Sequence, residues 1–148
     1  MAPKLTFGPL AADWQERINA ERMRQQRAER AKKIMRKNGI ATLLEAVPAH
    51  TRYLTGLKGF DNMSCRYVLF FAGHDPVMFE HDGYYHQMPD QAPWIKEWRP
   101  ARSWLSGAPG LEASQDEAKK FAAEIHHELK TRGLLGEKLG LGGFDGIA

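Results

Sequence analysis

The feature that most constrains this chain is a pair of β-rich segments near its middle, Arg66 to Phe71 and Pro76 to Glu80, joined by Ala72-Gly73-His74-Asp75. Aromatic and branched residues suit extended backbone, and so short a connection, with Gly and Asp in it, returns the chain antiparallel to itself. On either side of this hairpin, helical and strand patterns alternate, an order that by itself builds parallel sheets. The expected fold class is therefore α/β: a mixed β-sheet containing an antiparallel hairpin and flanked by helices.

Residues 1–12, with Pro3, Gly8 and Pro9, read as an irregular lead-in. Asp13-Trp14-Gln15-Glu16 has the form of a capping box and predicts a long helix ending near Asn38, ahead of Gly39. Its inward stripe would be Met23, Ala28, Ala31, Ile34 and Met35. Ile40 to Leu44 suits a short buried strand that Pro48 closes, and Ala49 to Thr55 a short helix ended by Gly56. Leu57 to Asn62 is then a loop. Beyond the hairpin, Pro89 to Trp98 predicts a short helix with Trp94 and Trp98 on one face, and Ala101 to Trp104 a strand. Trp94, Trp98 and Trp104 suit either core packing or a dimer surface, at least one of them core. Ser114-Gln115-Asp116-Glu117 reads as a second capping box. It would open a helix with Ala118, Phe121, Ala122, Ile125 and Leu129 inward until Gly133. A last strand is expected at Lys138 to Leu141.

A hydrophobic fraction of 43% and a charged fraction of 26% over 148 residues describe one soluble globular domain. No apolar run approaches the roughly 20 residues of a membrane span, and Met1-Ala2-Pro3-Lys4-Leu5 lacks the apolar stretch of a signal peptide, so the cytoplasm is the expected compartment. The single cysteine, Cys65, has no second thiol for a disulfide or a Cys-rich zinc site, and Arg66 beside it cannot act as its base. Net charge is only +3, yet eight basic residues lie between Arg22 and Lys37, opposed by Glu21 and Glu29. Such a helix suits a nucleic-acid-binding module, but equally an ordinary solvated face. The stretch has no reader motif and no interleaved aromatics, so nucleic acid is not the expected partner, and a free-standing basic module is kept as the alternative.

His74, Asp75, Glu80, His81, Asp82 and His86 are residue types that bind divalent metals. If the strand continues through Asp82, however, His81 points away from Glu80 and Asp82, while His74 and Asp75 belong to the turn. A small metalloenzyme built on this cluster is thus the weakest of three readings. His126 and His127 adjoin on a helix and diverge, unlike a helical metal pair. Gly140-Leu141-Gly142-Gly143 lacks the spacing and the lysine of a phosphate loop and reads as a strand end.

The succession of an Arg-rich helix ending in Asn38-Gly39-Ile40, a strand Ala41-Thr42-Leu43-Leu44, and Pro48-Ala49-His50-Thr51-Arg52-Tyr53-Leu54-Thr55-Gly56 resembles the N-terminal domain of the creatinase/prolidase family, the pita-bread metallohydrolases. Their usual form is a helix, "GIDALLV" and "PANIRYLTG". Here Thr42 stands for the acidic residue and His50-Thr51 for Asn-Ile, while Arg-Tyr-Leu-Thr-Gly is intact. The resemblance extends to about residue 145, giving a domain over 13–145 and the start of a linker at 146–148. It implies a ribonuclease H-like motif and a non-catalytic domain with no cofactor of its own, preceding a C-terminal catalytic domain in which two Asp, one His and two Glu can hold a divalent metal pair. It also implies a homodimer, in which the loop 57–66 of one subunit borders the partner's pocket. On that basis Phe60, Asn62, Met63 and Arg66 are the candidate rim residues, with no catalytic or metal-binding residue in this chain. Creatinase-like members carry an aromatic-Gly-Arg triplet before the strand tyrosine. Met63-Ser64-Cys65-Arg66-Tyr67 lacks the aromatic and places the arginine one position later, where it either clamps a substrate carboxylate through its fork of donors or is structural.

Overall fold

A computed structural model describes residues 18–57, 66–102 and 110–143. The lead-in, the first capping box, Phe60, Asn62, Met63, Cys65 and Trp104 lie outside these residues.

Helix α1 spans Ala20–Lys37. It starts later than Asp13-Glu16 predicts, because Asn19 is the cap: its Oδ1 accepts the Arg22 backbone N–H at 2.9 Å. The end matches the expectation. The inward stripe includes Ala28, Ala31 and Met35, but Ile34 is 56% exposed. The rotation of a single residue explains this, since Ile34 lies about 100° from Met35 around the helix.

Strand β1 (Ile40–Glu45) continues one residue past the predicted end, and helix α2 (Pro48–Thr55) has Pro48 in its first turn, where no N–H is needed. The predicted hairpin forms from β2 (Tyr67–Phe71) and β3 (Val77–Glu80), paired antiparallel with Tyr67 opposite Phe79. Every residue of β2 is buried, as a continuous apolar run requires when both sheet faces are covered.

The segment after β3 departs most from expectation. The strand does not run through Asp82: it ends at Glu80, and two short helices follow, α3 (Asp82–Tyr85) and α4 (Met88–Gln91). Trp98 is not on a helix with Trp94 but in strand β4 (Glu97–Pro100); of the strand predicted at Ala101 to Trp104, Ala101 and Arg102 lie past the end of β4, and the rest falls outside the described residues. β4 pairs parallel to β3, so Met78, Ile95 and Trp98 close one core while Trp94 stays 40% exposed.

Helix α5 spans Leu111–Thr131 behind Gly110, so Ser114 falls within its first turn and is not the cap. Ile125, Phe121 and Leu129 face inward as predicted, but Ala122 is exposed, and Glu128 is buried instead. Strand β5 (Lys138–Gly142) then pairs parallel to β1. The sheet order is β4-β3-β2-β1-β5, mixed as expected. One core, with Met35, Leu54, Val68, Phe70 and Met78, fills the sheet face under α1 and α2, and a second, with Leu44, Leu69, Phe71, Phe79 and Ile125, fills the face under α5.

Candidate functional site

The segment singled out as a pocket rim is held at both ends by contacts that the structure describes. At its start, α2 ends in Gly56 with φ +74°, a left-handed conformation that suits glycine. A Cβ there would also lie 2.4 Å from Cδ of Arg24. That arginine crosses the glycine and stacks on Trp94, its guanidinium carbon 3.9 Å from the ring centroid. Trp94 Nε1 donates to the Thr55 carbonyl at 2.8 Å. Thr55 Oγ1 donates to the Thr51 carbonyl and accepts the Leu57 N–H at 3.1 Å, and Leu57 is buried. The Thr-Gly pair thus fixes the direction in which the chain leaves α2. Sequence spacing alone did not reveal that Arg24 and Trp94 complete this joint.

At the other end Arg66 precedes β2, and antiparallel register sets it against Glu80. Its Nε donates to Glu80 Oε2 at 2.6 Å, with the carboxylate only 3% exposed and the arginine side chain 14%. Glu80 Oε1 accepts the His81 N–H at 3.0 Å. A buried carboxylate requires such a partner, because leaving it alone in low dielectric costs several kcal/mol, about 3–5. Arg66 therefore has a structural duty. With Nε committed, a carboxylate could be gripped only through the two terminal nitrogens.

The structure disperses the remaining metal-type residues of the sequence reading. Asp75 pairs with Lys96 at 2.9 Å. The hydrogen bond from Lys96 holds the Asp75 carboxyl below its ordinary range. His74 packs edge-on to Phe71, His81 Nδ1 accepts the Gly83 N–H, and His86 lies against Tyr85. His126 and His127 are both exposed on α5. Among the described residues no group of three His, Cys, Asp or Glu side chains could hold a metal ion.

A second feature escaped the sequence reading. Glu45, 5% exposed at the end of β1, accepts the Val47 N–H at 2.9 Å and meets His50 Nδ1 at 3.1 Å. Thr51 Oγ1 donates to the Glu45 carbonyl at 3.4 Å. His50 and Thr51, two of the three departures from the resembling pattern, thus both serve the turn around Glu45. Gly142 makes room for it, since a Cβ there would fall 2.3 Å from the carboxylate. The signal available in sequence was an acid ending an apolar run three residues before a proline.

No family model and no curated protein matches the chain. Among solved structures it is similar to an Xaa-Pro aminopeptidase from Streptococcus pyogenes, at 18% identity and a TM-score of 0.46 over 84% of this chain and 95% of that one. It is also similar to the N-terminal domain of the cytoplasmic peptidase PepQ from Mycobacterium tuberculosis (20% identity, TM-score 0.45, 78% and 90% covered). A third is the creatinase/prolidase-like N-terminal domain of a metallopeptidase from Corynebacterium diphtheriae (18% identity, TM-score 0.47, 82% and 98% covered). Among the described residues no helix is long and apolar enough to cross a membrane.

Proposed function

We propose that this chain is the non-catalytic N-terminal domain of a cytoplasmic creatinase/prolidase-type hydrolase, one acting on Xaa-Pro peptides or on an amidino compound. In this reading it contributes homodimer contacts, and its 57–66 segment forms the rim of the partner subunit's substrate pocket. The supporting observation is the joint at Thr55-Gly56. The Arg-Tyr-Leu-Thr-Gly end that carries the sequence resemblance is also the element that aims this segment, through Arg24 and Trp94.

A divalent metal pair, where present, belongs to the catalytic domain, and no step of metal chemistry is assigned to these residues. Arg66 acts first as the anchor of the rim, through Glu80, and only through the rim on substrate. Replacing Arg66 with Ala in the protein that carries the catalytic domain should raise KM more than it lowers kcat, because the rim binds and does not react. Unchanged KM and kcat would remove the rim from the proposal. The dimer part is checked separately by sedimentation, where a strict monomer at high concentration counts against it.

A further inference from the structure

The outer face of α1 carries a charge arrangement that neither the fold nor the proposed function uses. The helix holds eight cations and two carboxylates, a net of +6 in a chain whose total is +3. Arg24 and Arg27 lean inward over Trp94 and Tyr53, and Lys32 and Arg36 share Glu29 at 3.8 Å. Arg22, Arg30, Lys33 and Lys37 remain. All four are exposed, and none is ion-paired among the described residues. At about 100° per residue they fall within an arc of roughly 80°, and at ~1.5 Å per residue they form a column about 22 Å long.

We infer that this column is a docking surface for the phosphodiester backbone of a nucleic acid. Like charges held side by side repel one another, so the arrangement favours an anionic partner with repeated charge. The composition of the arc selects among such partners. Gln26 is its remaining member between Arg22 and Arg30, and no apolar side chain lies within it. A protein interface centres on apolar groups and is depleted of lysine. An amphipathic membrane helix needs an apolar face to insert, and the inward face of α1 is already spent on the core. Phosphate contacts need only the cations, and they read no sequence.

The test is fluorescence anisotropy of the full chain with a short labelled DNA duplex, titrated from about 50 to about 200 mM salt. Four phosphate contacts give a slope of log K against log salt of roughly −3 to −4, and the pair Arg30→Gln and Lys33→Gln should reduce its magnitude by about 1.5–2. Lys120→Gln, on the opposite face and engaged with Asp116 and Glu117, should leave both affinity and slope unchanged. Circular dichroism establishes that each variant keeps its helices. Absence of binding at low salt overturns the inference, as does equal loss with Lys120→Gln. Tighter binding to phosphatidylserine vesicles or to polyglutamate than to the duplex also overturns it, assigning the column to a membrane or to an acidic protein.

Discussion

The two long helices, α1 and α5, treat charge in opposite ways. On the α5 side, arginine and glutamate are built into the fold. Buried Glu128 binds Arg99 and Arg132, Arg132 reaches Glu97 on β4, and Arg102 spans Glu117 and Glu124. Burial works against the Arg132 charge, yet its hydrogen bonds with Glu97 and Glu128 outweigh that and hold the guanidinium above its ordinary range. These bonds tie the helix to the edge strand. On α1, Arg36 donates to the Ala72 carbonyl, but Arg22, Arg30, Lys33 and Lys37 hold nothing together within the described residues. Charges that serve the fold are costly to change, and charges that serve nothing in the fold are cheap to change and open to a partner.

Removing one member of the α5 network is the harshest way to probe this contrast. Glu128→Ala leaves Arg99 and Arg132 without their shared carboxylate, and discounting the 41% exposure of Arg99, it should destabilise by about 3 kcal/mol. A denaturant midpoint measures it, and a loss no larger than that of a surface substitution would erase the distinction between the two helices. Next comes Gly56→Ala, which meets both the positive φ and the Arg24 stem. A cost of about 2 kcal/mol is expected, with a change in Trp94 fluorescence as the indole loses its packed arginine.

Thr42→Val has the opposite sign. Its hydroxyl is buried and has no hydrogen-bond partner among the described residues, so an isosteric methyl should raise stability by about 1 kcal/mol, read as a rise in Tm. The outward pair Arg30→Gln and Lys33→Gln should move stability by less than about 0.5 kcal/mol, while the same proteins show weaker DNA binding with a shallower salt dependence.

The smallest effect is that of acid. Hydrogen bonds from Lys120 hold Asp116 and Glu117 below their ordinary values, Arg102 adding to the second. A carboxylate depressed on folding contributes stability that is present above its unfolded value and is lost as pH falls through the folded one. A shallow decline in Tm below about pH 4.5 is therefore expected, and Lys120→Gln should flatten it. An identical decline in the variant would show that these exposed pairs contribute nothing.

Much of the architecture was legible because it rests on local chemistry. The hairpin, β1, α2 with its terminal Gly56, the inward positions Phe121, Ile125 and Leu129, and the last strand all follow from periodicity and turn residues. The errors lie where a distant contact overrides a local pattern. Ser114-Gln115-Asp116-Glu117 has the form of a helix start, yet the helix begins at Leu111. Trp94 and Trp98 have helical spacing, yet β3 recruits Trp98 into a parallel strand. Glu128 has the polarity of a surface residue, and only the arrival of Arg99 and Arg132 allows it to be buried.

The same division applies to the candidate site. The residue pattern by itself determined that a short helix ends in Thr55-Gly56 and that α1 is densely cationic, because composition and single-turn geometry need only near neighbours. Which of those cations are available, what holds the exit from α2, and whether Arg66 is committed were decided by tertiary structure alone. Trp94, Glu80 and Glu29 reach their partners through folding or through the rotamers it selects, and electrostatic pairing depends on distance in space, not on separation along the chain.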